Sequence, residues 1–203
     1  MQLSGGELQT RRGRNGDSVG SGMEEAIPMA ALAHLGVGLA AKRIAPEINV
    51  GYLILGAYAL DILWCGFALA GLEPTPKPGV VGAPAVWDHS LLMATVWSVL
   101  AGLIAAWIWR AARTGVVFGL VVFSHWVVDF ITHPMTAVFP PDRGLPVWFS
   151  DSPLIGLGMY RTMTGVYVGE FGSLALGIVI YVLARRRMKQ LKASTVAPQA
   201  SAS

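Results

Sequence analysis

His34, Asp61, His89, His125 and Asp129 each sit inside a run of apolar residues, and His133 and Glu170 lie near the ends of two such runs. An acid near the middle of a membrane helix costs about 2.5–3.5 kcal/mol on insertion scales, so each one needs a compensating partner. The usual partner is a basic residue, yet the runs contain only Arg110, at the far end of the third. Histidines and carboxylates gathered without lysine or arginine form the donor set of a divalent cation, with zinc the expected ion. His125, Asp129 and His133 recur every four residues. That spacing turns each about 40° from the last and keeps all three on one helix face.

A cation held by three or four of His34, Asp61, His89, His125 and Asp129 would acidify water and polarise a scissile group. Asp129 or Glu170, whichever stays outside the ligand set, is the candidate general base. Individual residues have plainer readings. Asp88 stands at a helix start and reads as an N-cap. His133, before Pro134 at a helix end, and Glu170, near a helix start, both suit the helix dipole. His125 and Asp129 could satisfy each other at i,i+4, His34 could bond a neighbouring helix, Asp61 could be a protonated structural acid and His89 an interfacial residue. Those readings do not explain why every apolar run supplies such a group.

The runs themselves set the fold class. Hydrophobic residues make up 54% of the 203 and charged residues 13%, about half the charge of a soluble domain. Lipid is the solvent, and the expected architecture is an all-α, polytopic bundle of about five transmembrane helices. They cover Ile27–Ala41, Val50–Leu72, Trp87–Ala111, Gly115–His133 and Val168–Leu183. About 20 helical residues cross a bilayer core, so the middle three are comfortable and the outer two short. Counted from the run ends, the five candidate ligands fall in or close to one half of the bilayer, spread over about 13 Å. Gly115 and Gly119 form a GxxxG suited to close helix packing.

Lys42, Arg43, Arg110, Arg113, Arg185, Arg186, Arg187, Lys189 and Lys192 fall on one side, against Lys77, Arg143 and Arg161 on the other, with the distant Arg11, Arg12 and Arg14. This asymmetry predicts an integral plasma-membrane protein with a cytoplasmic C-terminus. The same placement argues against a nucleic-acid partner. Residues 1–22 are polar and glycine-rich and read as disordered, with Met23 the expected start. Residues 23–187 form the bundle domain, and 188–203 read as a disordered basic tail. The connection 134–167 carries five prolines yet stays apolar through Trp148, Phe149, Leu154, Ile155 and Met159. It predicts an outer-side lid segment with a short helix near Leu154–Met163.

The strings around these residues resemble the YdjM-like family of predicted membrane-bound metal-dependent hydrolases of the inner membrane. The resemblance runs through His34 and its following glycines, Leu53 to Asp61, His89-Ser90-Leu91-Leu92 and Ser124-His125-Trp126 with Asp129. It continues in Gly71-Leu72-Glu73, in Gly156 to Tyr160 and in Glu170. It implies a hydrolase with His34, Asp61, His89, His125 and Asp129 at the metal. Many members carry Pro-Asp-x-Asp where this chain reads Leu60-Asp61-Ile62-Leu63, and the missing second acid puts a two-metal site in doubt. A site at lipid depth points to an amphiphilic substrate, a membrane lipid or lipid-linked phosphate. The alternative is a small transporter or proton-coupled channel using the same groups as a relay. Haem ligation by His34, His89 or His125 is a third reading, one that leaves the acids unexplained.

Overall fold

The structure, a computed structural model, describes residues 32–73, 85–136 and 142–196. The 1–22 segment and the start of the first apolar run lie outside them. Six helices are described: α1 (Leu32–Ala40), α2 (Val50–Ala57), α3 (Ala59–Leu69), α4 (Leu91–Trp109), α5 (Ala112–Thr132) and α6 (Met163–Val196). Their starts follow from local chemistry. The Asn49 side chain accepts the Gly51 N–H to open α2, and Ser90 Oγ accepts the Met93 N–H to open α4. Such caps satisfy amides that have no partner inside the helix.

Three of these helices, α4, α5 and α6, are long and apolar enough to cross a membrane. The pair α2 and α3 passes the same test only when taken together, and it is bent by 55° at its junction. The described residues therefore support three spans, or four if the bent pair is one. The expected uniform helix over Val50–Leu72 is broken at Tyr58, beside Gly56, a residue type at which helices kink. At the other end of the chain, α6 starts at Met163 and continues to Val196. Residues 188–196 of the expected disordered tail are thus helical, as their lysines, leucine and glutamine favour.

The connection before α6 holds no α-helix at Leu154–Met163. Leu145–Pro146 pairs antiparallel with Leu154–Ile155, Gly158 adopts φ +71°, and only a 3-10 turn, Met159–Arg161, precedes α6. Backbone bonds tie the segment to two helix ends: the Leu92 N–H donates to Val147 O at 3.1 Å, and the Leu157 N–H to Phe130 O at 2.7 Å.

Helix contacts are made by small residues, which let backbones approach where lipid supplies no hydrophobic drive. A Cβ on Gly115 would lie 2.5 Å from Gly102 O, and one on Gly177 would lie 2.2 Å from Gly36 O. These approaches join α4 to α5 and α1 to α6. Apolar packing fills the remainder: Leu60, Ala94, Val122, Trp126 and Leu145 form one buried cluster, and Ile48, Leu53, Ala57 and Val121 another. Outward-facing Leu103, Ile104, Trp107 and Val116 remain exposed, as lipid-facing positions of α4 and α5 should.

Candidate metal centre

His34 lies in the first turn of α1, Asp61 in the first turn of α3, and His125 and Asp129 in the last two turns of α5, while His89 sits just before α4. All five converge at one end of the bundle. His34, Asp61 and His125 place ligand atoms within 4.8 Å of one another, and so do His89, His125 and Asp129. The spread of about 13 Å expected from residue counting is absent for two reasons. The break at Tyr58 redirects α3, and His89 precedes its helix instead of lying inside it.

The separations are those of a coordination sphere. His125 Nε2 lies 3.2 Å from Asp129 Oδ2, 3.4 Å from Asp61 Oδ1 and 3.3 Å from His89 Nε2. His89 Nε2 lies 3.5 Å from Asp61 Oδ1 and 3.6 Å from Asp129 Oδ2. Zinc bonds of about 2.0–2.1 Å in tetrahedral geometry put neighbouring ligand atoms about 3.4 Å apart.

Each ring is turned so that Nε2 faces the cluster. His125 Nδ1–H donates to Ala57 O at 2.7 Å, and His89 Nδ1–H donates to Asp88 Oδ1 at 2.5 Å. With Nδ1 committed as a donor, neutral His89 and His125 direct lone pairs at each other and at two carboxylates. A cation at the centre would reconcile four such acceptors, and among the described residues the ion pairs made by Asp61 and Asp129 are all with histidines. His34 adds to this. Its Nε2 is 3.2 Å from Asp129 Oδ1, its ring stacks on His125 with centroids 3.9 Å apart, and its buried Nδ1 has no hydrogen-bond partner among the described residues. The two ligand groups share His125. The close stacking of His34 on His125 leaves no gap between those rings for a haem macrocycle.

The supporting groups were the less visible part of the sequence. Asp88 is not the N-cap of α4: that is Ser90, two residues later, and Asp88 is fully buried as the carboxylate that orients His89. Such carboxylate–histidine pairs fix the tautomer and raise ligand basicity. The turn carrying His89 is clamped further. Glu73 Oε1 accepts the Trp87 N–H at 2.6 Å, Trp97 Nε1–H donates to Trp87 O at 2.8 Å, and Trp126 Nε1–H donates to His89 O at 3.1 Å. Ala57 O is available because the helix break releases it. The Ile62 N–H bonds Tyr58 O across the junction, while Ala57 O takes the imidazole.

Glu170, a candidate base, is buried on α6 and is not among the grouped ligands. It accepts the Ala33 N–H at 2.9 Å and the Tyr160 hydroxyl, so it anchors the start of α1 one residue from His34. Asp129, the other candidate base, contacts His34, His89 and His125 directly.

His133 caps the end of α5 and stays outside the cluster; its Nδ1 meets Asp142 Oδ2 at 2.9 Å. Burial raises the Asp142 carboxyl, but the His133 imidazole and the N–H groups of Met135 and Gly144 outweigh it, and Asp142 titrates below its ordinary value. A depressed carboxyl stabilises the fold above its unfolded value of about 3.9, and that contribution is lost as pH falls through the lower folded value. Asp142→Asn should therefore loosen the segment already at neutral pH. Losing a charged acceptor costs about 1.5–3 kcal/mol, so amide exchange at Met135 and Gly144 should rise about 10- to 100-fold. Unchanged exchange would show that Asp142 does not hold the segment.

Compared with known proteins, the chain matches no family model, no curated protein sequence and no solved structure.

Proposed function

We propose that this protein is a membrane-embedded, metal-dependent hydrolase of the kind the YdjM-like resemblance implies. The observation that carries the reading is the convergence of His89 Nε2, His125 Nε2, Asp61 Oδ1 and Asp129 Oδ2 at 3.2–3.6 Å, with no lysine or arginine paired to them among the described residues. His34 completes the set beside Asp129. When bound, a zinc-like ion supplies Lewis acidity, polarising an ester or phosphoryl oxygen and acidifying nearby water.

The chain's own residues supply the remainder. Asp88 and Ala57 O hold two imidazoles in the metal-binding tautomer. Asp129 joins the ligand set with its Oδ1 facing His34, and Glu170 positions α1 instead of handling protons. The substrate is an amphiphile, a membrane lipid or lipid-linked phosphate, reached from the bilayer. We place the site at the outer face of a plasma-membrane bundle of five spans, with the 142–162 segment on that face and the basic end of α6 in the cytoplasm. The excess of lysine and arginine at the opposite helix ends supports this orientation.

The relay reading needs ionisable groups at both ends of the spans. Val50–Ala57 and residues 115–123 carry no acid, histidine, lysine or arginine, which favours a site reached from one side. The test uses sealed right-side-out vesicles containing the full chain. A membrane-impermeant chelator added outside should abolish phospholipid hydrolysis, and zinc restored outside should recover it. Hydrolysis that survives the external chelator but stops when the chelator is loaded inside would invert the orientation. No hydrolysis of any lipid by zinc-loaded protein would return the relay to first place.

A further inference from the structure

A second feature of the bent pair bears on what the site takes. Gly51, Ile54, Leu55, Tyr58, Asp61, Ile62 and Cys65 line an open groove of about 500 Å³. They recur at intervals of three and four, so they form one stripe that continues from α2 across the break into α3. The stripe is apolar except where it reaches Asp61. Leu55 is 54% exposed and Ile62 49%, so no described helix covers it.

Asp61 marks where the groove meets the metal centre. Its side chain is 45% exposed, against 12% for His89, 10% for Asp129, 5% for His34 and none for His125. It is the one ligand that faces out of the cluster, and it faces the groove. A half-exposed carboxylate beside hydrocarbon is costly, unless a polar group arrives there together with the ion. From Gly51 to Asp61 the helical path is about 15 Å, half the thickness of a bilayer core.

We propose that this groove is the acyl-chain subsite of the enzyme. It takes one hydrocarbon chain of a single phospholipid, with the chain along Ile54 and Leu55 and the ester or phosphate head at Asp61. The proposal rests on the hydrolase reading and names its substrate class: a lipid with an anionic or ester head and at least one chain of leaflet length. The recognition is amphipathic in the same sense as the groove, apolar contact along the tail and a cation at the head.

The experiment reads binding without needing turnover. The full chain is reconstituted in phosphatidylcholine vesicles with a trace of phosphatidylglycerol bearing a diazirine in mid-chain. After irradiation, cross-linked residues are mapped by mass spectrometry, and metal content is measured on the same samples. Ile54, Leu55, Ile62 and Cys65 should be labelled well above the comparably exposed Leu103, Ile104 and Val116. Leu55→Trp and Ile62→Trp fill the groove from exposed positions and leave the packed core alone. Each should lower groove labelling about tenfold, the factor expected from displacing about two buried methylenes. Labelling spread evenly over all exposed positions would overturn the proposal. Groove labelling retained in protein that holds no metal would leave the subsite standing and remove the hydrolase reading, so the two failures are distinguishable.

Discussion

His125→Ala should strip the metal from the protein while leaving it inserted in the membrane. The imidazole belongs to both ligand groups and lies within 3.4 Å of Asp61, Asp129 and His89, so its removal takes away the atom the others share. Losing even a supporting partner of a metal ligand costs about 10- to 100-fold in affinity, and losing the ligand itself should cost more. Asp88→Asn provides the comparison, because it weakens only the orientation of His89 and should fall in that 10- to 100-fold range. Insertion should survive, since removing a polar side chain makes α5 more apolar. A structural side effect is also expected. Ala57 O loses its imidazole donor, and an unsatisfied buried acceptor costs about 1–3 kcal/mol. Thermal stability must therefore be compared between metal-free samples, where only that structural cost remains. Elemental analysis of detergent-purified protein reads the result directly. Unchanged metal content in both His125→Ala and Asp61→Ala would falsify the shared site.

The second large effect lies away from the ligands. Gly177→Ala places a Cβ 2.2 Å from Gly36 O and 2.5 Å from Gly36 Cα, both backbone atoms that no side-chain rotation can move. Helix α1 must back away from α6 by at least about 1 Å, and overpacking of this kind costs about 1–3 kcal/mol. The displacement reaches the site, because His34 is two residues from Gly36 and its contact with Asp129 spans only 3.2 Å. The Ala33–Glu170 bond is strained in the same direction. Gly172→Ala is the control on the same helix, where a Cβ meets nothing within 4 Å. There the better helix propensity of alanine should stabilise by up to about 1 kcal/mol. The two substitutions should thus shift the melting temperature in opposite directions, and only Gly177→Ala should lower metal content. Identical behaviour of the pair would mean that α1 and α6 do not pack as described.

Much of the candidate site was legible because membrane solvation makes each buried charge conspicuous. His34, Asp61, His89, His125 and Asp129 stood out as acids and histidines in apolar runs without basic partners, and the structure brings all five together. The i,i+4 spacing of His125 and Asp129 correctly put them on one face, whereas His133 on the same face is drawn off by Asp142, which lies in a loop with no periodicity to read. What stayed hidden depended on backbone detail. Asp88 and Ser90 are both good helix caps, and nothing local says which one starts α4. Glu170 looked like a candidate base because the hydrophobic pattern does not show that the amide of Ala33 and the hydroxyl of Tyr160 will take its oxygens. The break at Tyr58 leaves no mark in an apolar pattern that runs smoothly from Val50 to Leu69.

That break also bears on how the molecule is assembled. Alone, α2 is eight residues, about 12 Å, and cannot cross a bilayer core of about 30 Å. Residues 50–69 contain no proline, so as a newly inserted segment they span most readily as one straight rod, with the Ala57 carbonyl bonded within the helix. Bending is affordable in hydrocarbon only once a replacement donor is present, and that donor is the imidazole of His125, 68 positions further along the chain. The elbow is therefore a product of helix association, made after α5 has been synthesised and has docked. The candidate site therefore forms only once α5 has docked, and a chain halted before α5 lacks the imidazole that supports the bend.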